Sequence, residues 1–137
     1  MGIVDVKTAV KTVLTDDSMA KVTKWLNAEP APTFYPSNCF GWVEWHGGAK
    51  ASESMDGLNK AVDEFYVVIV TKHIDADVAE TDGLTLLEAA EALLEADPTL
   101  GGKVEDSHVS MREKEKVFDG KFSLNAVRIT FHTWRWL

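Results

Sequence analysis

The chain is short of most features that announce a chemistry. It has one cysteine, Cys39, in 137 residues. No internal disulfide can form, and a reducing compartment fits. No apolar run reaches the roughly 18 residues that would cross a bilayer, so no membrane partner is expected. Residues 1–7 lack the basic start and apolar stretch of a secretory signal, and none is expected. Basic residues are few: 14 Lys and Arg against 22 Asp and Glu, a formal net charge of -8. Proteins that grip DNA neutralise phosphates with Lys and Arg, whereas the field of this chain repels nucleic acid. Repeats, low-complexity tracts and linkers are also missing, so residues 1–137 read as one domain. With 45% apolar and 26% charged residues, that domain is an ordinary globular one.

The motifs of catalysis are equally scarce. Cys39, His46, His73, His108 and His132 have neither CxxC nor i,i+4 spacing, so no metal site is expected. There is no GxSxG elbow, and Gly47-Gly48-Ala49-Lys50 lacks the frame of a phosphate loop. Cys39 and His46 would point to opposite faces of a strand, which leaves Cys39 as a small buried hydrophobe. Glu44 and His46 would share a face, as an acid–base pair or, more simply, as a solvated one. No cofactor is expected, and the chain does not read as an enzyme.

What is present is patterning. Ile3, Val6, Val10, Val13 and Leu14 have helical spacing. After Asp16-Asp17-Ser18, Met19, Val22, Trp25 and Leu26 predict a second helix, ended by the prolines of residues 27–36. Residues 39–46 predict a strand and 47–59 a small, polar, mobile loop. Residues 64–71, apolar on both faces, predict a central strand covered on both sides. Residues 84–96 predict the clearest helix, with Thr85 and Glu88 at capping-box spacing and Asp82 a rival cap. Leu86, Leu87, Ala90, Leu93 and Leu94 line one side, and Glu88, Glu91 and Glu95 a solvated one. Pro98 and Gly101-Gly102 stop it.

The last third predicts a long hairpin, with arms near 109–117 and 121–134 and a turn at Asp119-Gly120. Two registers compete. A two-residue turn sets Arg112 opposite Val127, and a bulged turn sets Met111 opposite Val127 and Val109 opposite Ile129. The bulged form brings apolar side chains together. Arg112, Glu113, Lys114, Glu115 and Lys116 are charged on both faces, so this tip is expected to stand in water. On the second arm Val127, Ile129 and Phe131 share one side while Trp134 and Trp136 lie on the other. Either a bulge re-aims the strand or these indoles cover a different surface. Tryptophan buries much area on one rigid ring and is enriched at interfaces. Trp42 and Trp45 fall on opposite faces of one strand, so one needs cover beyond a single core. Trp134, Trp136, Trp42 and the charged run 112–116 are therefore the candidate interface residues. The architecture expected is α+β: a mainly antiparallel sheet of about four strands, helices on one face, and a long C-terminal β-hairpin.

Several stretches carry a resemblance in order. A helical N-terminal region leads to Tyr35-Pro36; a variable loop precedes the strand of residues 65–70; an acidic segment, 75–82, precedes a helix ending in Ala96-Asp97-Pro98-Thr99-Leu100-Gly101-Gly102-Lys103-Val104. A charged hairpin and a final strand with Ala126-Val127-Arg128-Ile129 close the chain. This pattern resembles the tail-terminator proteins of long-tailed phages and the neck proteins that join head to tail. The resemblance implies a non-enzymatic virion protein of the tail or neck, assembled in the host cytoplasm. It would be a homo-oligomeric, hexameric ring that caps the tail tube, binds tail-tube protein and meets the head connector or a neck protein. DNA would pass through its acidic lumen without specific binding. A small ligand-binding module, using Trp42, Trp45 and Tyr66, and another head-completion protein are the alternatives.

Overall fold

The computed structural model describes residues 2–27, 29, 38–52, 59–119 and 122–137; the prolines at 30, 32 and 36, Tyr35, and Gly120 of the expected turn lie outside them. The elements are α1 (Ile3–Leu14), a 3-10 turn (Asp17–Met19), β1 (Lys24–Leu26), β2 (Cys39–Ser52), β3 (Asn59–His73), α2 (Ala76–Ala96), β4 (Asp106–Asp119) and β5 (Phe122–Trp136). The fold is α+β, but among the described residues the sheet has five strands rather than four and is mixed. The order is β1-β2-β3-β5-β4, with β1 parallel to β2 and the other pairs antiparallel.

The fifth strand comes from the stretch expected to be a second helix. Asp16 caps only the 3-10 turn, accepting from the Ser18 N–H at 3.0 Å. The chain then extends so that Trp25 pairs with Gly41. Gly41 makes this approach possible: a Cβ there would lie 2.8 Å from the Trp25 ring and 2.9 Å from the Val68 carbonyl oxygen.

The middle strand behaves as its composition requires. Phe65, Val67 and Ile69 of β3 join Val43, Val127, Ile129 and Phe131 in the main core, against Val6, Val10 and Leu14 of α1 and Leu86, Ala90 and Leu94 of α2. The alternate residues Val68 and Val70 join Phe40, Trp42 and Leu124 in a second cluster on the opposite face, which among the described residues carries no helix and is called the helix-free face below. Both faces of β3 are apolar and buried, one under the two helices and the other among side chains of the neighbouring strands.

Three boundaries differ from the sequence-based expectation. Helix α2 begins at Ala76, where Asp75 accepts from the Asp77 N–H, so Asp82 and Thr85 lie inside it rather than capping it. Gly83 does not break this helix, because it faces the sheet: a Cβ there would fall 2.2 Å from Asn125 Nδ2. Nearby, Thr71 Oγ1 donates to the Ala79 carbonyl at 2.6 Å. Strand β2 continues to Ser52, through part of the stretch expected to be a loop, after a bulge between Trp45 and Gly47. The hairpin adopts neither expected register. Arg112 lies opposite Ile129, Lys114 opposite Val127 and Val109 opposite Phe131, with the register shift at Ser110 rather than at the turn.

This shift decides where the charges point. Arg112 and Lys114 turn to the helix side, where Arg112 lies 3.3 Å from Glu91 and Lys114 3.1 Å from Glu80. Arg112 and Lys114 thus reach α2 while staying exposed, Glu113 is exposed on the other face, and Glu91 is not simply solvated; the side chains of Glu115 and Lys116 lie outside the described residues. Strand β5 pairs with β3 from Lys60↔Trp136 to His73↔Ser123, so the hairpin is part of the sheet over its described length.

Replacing Gly41 by Val should destabilise the fold by about 1–3 kcal/mol, because the new methyls meet an indole and a backbone carbonyl. Urea denaturation measures this, and an unchanged midpoint would show that Trp25 does not pack on β2 as described.

Candidate assembly surface

The continuous β3–β5 pairing answers the question raised by the two C-terminal tryptophans. No bulge re-aims them. Their parity puts them on the helix-free face, opposite in direction to Val127, Ile129 and Phe131. There the Trp134 and Trp136 rings meet edge to face with centroids 5.4 Å apart. The Lys60 ammonium sits 4.7 Å from the centre of the Trp134 ring, a cation–π contact that holds that indole in place. Trp134 is half-buried, whereas Trp136 is 41% and its neighbour Leu137 47% exposed. The Leu137 N–H donates to the Asn59 carbonyl at 2.8 Å, which ties the end of the chain beside this pair.

The other expected interface residues are placed differently. Trp42 is buried among Phe40, Val68 and Val70, and its indole N–H donates to Glu44 Oε1 at 3.1 Å. Arg112 and Lys114 are directed to α2, and Glu113 pairs across the hairpin with Arg128. The Glu115 and Lys116 backbones pair with Ala126 and Asn125, while their side chains lie outside the described residues. The structure thus brings Trp134 and Trp136 together and separates both from Trp42 and from the charged run.

Sequence reading missed three features of the same region. Trp45, 46% exposed, is on the helix side of the sheet and donates from its indole N–H to Asp63 Oδ1 at 3.0 Å. Asp63 Oδ2 accepts from Arg135 at 3.4 Å, and both residues are buried. Arg128 stacks over Tyr66, 4.3 Å from its ring centre, and His46 stacks on Tyr66 with centroids 4.3 Å apart. The alternation of β5 already placed Arg135 with the core-facing residues, which was the available signal. Its partner was hidden because Asp63 is 72 residues away.

The aromatics suggested for a small ligand do not converge, since Trp42 and Tyr66 line the helix-free face and Trp45 the other. An open groove of about 740 Å³ lies elsewhere, between α1 and the turn after α2, lined in part by Asp5, Thr8, Thr12, Asp97 and Lys103. Among the described residues, no group of three or more His, Cys, Asp or Glu side chains converges as a metal ligand set. Among the same residues, no helix is long and apolar enough to cross a membrane. Burial, and then the Asp82 carboxylate, push the Cys39 thiol up to about 11, against an opposing pull from Lys21.

Two expectations follow from these placements. Truncating Asp63 to Ala leaves Arg135 buried without its counter-charge and should cost about 3–5 kcal/mol of stability, read by chemical denaturation. A loss under about 1 kcal/mol would mean that water reaches Arg135. Cys39 should react with iodoacetamide at pH 8 about a hundredfold more slowly in the native protein than in urea, because the thiolate is the nucleophile. Cys39 is half-buried rather than fully buried, and equal rates would contradict even that shielding.

No family model and no curated protein matches this chain. Its fold is similar to that of a chain in the solved structure described as "Virion of native gene transfer agent (GTA) particle", with a TM-score of 0.63 over 96% of this chain and 95% of that one. The two sequences are 12% identical, so the likeness is one of fold along nearly the full length of both.

Proposed function

We propose that this chain is a non-enzymatic structural protein of a phage-like particle, a tail terminator or close neck relative that works by assembling into a ring. One observation carries the reading: nearly the whole chain shares its fold with a chain of a gene transfer agent virion. The ordered motifs from Tyr35-Pro36 to Ala126-Val127-Arg128-Ile129 point the same way. The ring is a hexamer closed by a head-to-tail contact, in which different surfaces of neighbouring copies meet. It caps the tail tube, binds tail-tube protein on one side and a head-connector or neck protein on the other, and sits in the virion after assembly in the host cytoplasm. The net charge of -8 suits a lumen through which DNA passes without sticking.

Within that reading, Trp136 with Leu137 and Trp134 forms the subunit contact. A large, half-exposed indole held by a second ring presents rigid apolar area that loses little entropy on docking. The charged run 112–116 has a supporting part, since Arg112 and Lys114 are already engaged with α2.

Size-exclusion chromatography with light scattering, on the chain alone and mixed with tail-tube protein, tests this. A hexamer, or a hexamer formed on the tube, is the expected outcome, and a strict monomer that never binds tube protein would defeat the proposal. Deleting residues from 134 onward is a poor probe, because it removes strand pairs with β3 and β4. Trp136→Ser is the sharper one: assembly should fall while the fold loses no more than about 1 kcal/mol. Normal assembly of this variant would move the contact elsewhere.

A further inference from the structure

The sequence scatters its four histidines singly, but the sheet brings two of them together. His108 of β4 lies directly opposite His132 of β5. Their rings stack with centroids 5.1 Å apart and planes 19° apart. His108 is exposed and His132 half-buried. Glu64 of β3 is opposite His132 in the adjoining strand pair, and Asp106 precedes His108 by one alternation on β4, so two acidic residues occupy neighbouring positions on the face that carries the rings. Just beyond, the β4–β5 register shifts between Val109 and Met111.

We propose that His108 and His132 form a two-imidazole site for a divalent transition cation of the Zn2+ or Cu2+ class, which clips the edge strand β4 to β5 beside its bulge. Imidazole nitrogen is a donor suited to Zn2+, Cu2+ and Ni2+. Two nitrogens bound to one ion at about 2.0–2.1 Å lie roughly 3–3.5 Å apart. The rings stack with centres 5.1 Å apart, so on binding each turns about its side-chain torsions until an in-plane lone pair points at the shared ion. Strand pairing fixes both backbone positions beforehand, so only side-chain torsions are ordered when the chelate forms. Water fills the remaining positions, since no third side chain of a ligand type converges among the described residues. Glu64 and Asp106 add the negative field that favours a cation and accept hydrogen bonds from its water or from an imidazole N–H. The ion adds a cross-strand link where the bulge breaks the backbone ladder.

The full chain is titrated with Zn2+ by calorimetry and loaded with Cu2+ for electron paramagnetic resonance. One ion per chain is expected, with a spectrum showing two imidazole nitrogens. The melting temperature should rise by roughly 5–10 °C at about a hundred times Kd. Amide exchange at residues 108–111 should slow on loading. His108→Asn, at an exposed position, should abolish the rise in melting temperature and leave at most one nitrogen in the spectrum, while His46→Asn changes neither. Equal binding by the native chain and His108→Asn, or a one-nitrogen spectrum from the native chain, overturns the proposal. His132→Asn is a second check, and if it does not fold, His108→Asn decides.

Discussion

The long pairing of β3 with β5 governs this molecule. It runs without a register shift along both strands, and side chains alternate strictly between the two faces of a sheet. Once Val127, Ile129 and Phe131 face the helices, the direction of every other β5 residue follows. Trp134 and Trp136 must appear on the helix-free face. Arg135 must face the helix side, where burial demands a counter-charge that Asp63 supplies. The shifts in phase occur on the strands flanking this pair, at Trp45/Gly47 in β2 and Val109/Met111 in β4. Each re-aims a strand at the margin and leaves the centre undisturbed.

The charge distribution follows from the same geometry. Helix α2 carries acidic residues and no Lys or Arg. Two of its carboxylates meet Arg112 and Lys114 because the bulge at Ser110 sets those side chains on the helix side. Strand β4 is an edge of the sheet. Alternating charges and a bulge are devices that keep a long edge from pairing with other chains indiscriminately. In the proposed ring, a protected edge and an aromatic corner divide the work: one suppresses unwanted strand addition, and the other offers a specific contact. The stacked histidines join that edge strand to β5, His108 on β4 and His132 on β5, near the C-terminal tryptophans, since Asp106 pairs with Trp134 and His108 with His132.

Local patterns were read well wherever one element's own spacing carried the information. The first helix, the core stripe of α2 from Leu86 to Leu94, the two-faced central strand and the opposed directions of Trp42 and Trp45 were all legible, because side-chain period is a property of the backbone. So was the separation of Trp134 and Trp136 from Val127, Ile129 and Phe131. Helical spacing misled at Met19, Val22, Trp25 and Leu26, where a strand partner, with room at Gly41, outweighed local periodicity. Gly83 carried no signal in the sequence, yet a Cβ there would collide with Asn125 of β5.

Composition and period thus carried the fold class, the core-facing residues and the lack of a familiar catalytic motif. Register, partners and exposure came from the folded chain, since each depends on residues far apart in sequence. Nothing near Arg112 announces Glu91, nothing near Arg135 announces Asp63, and His108 meets His132 only because β4 slips by one residue after that pair. Pairing between distant strands is set by the total burial of the sheet, which no single stretch of sequence contains.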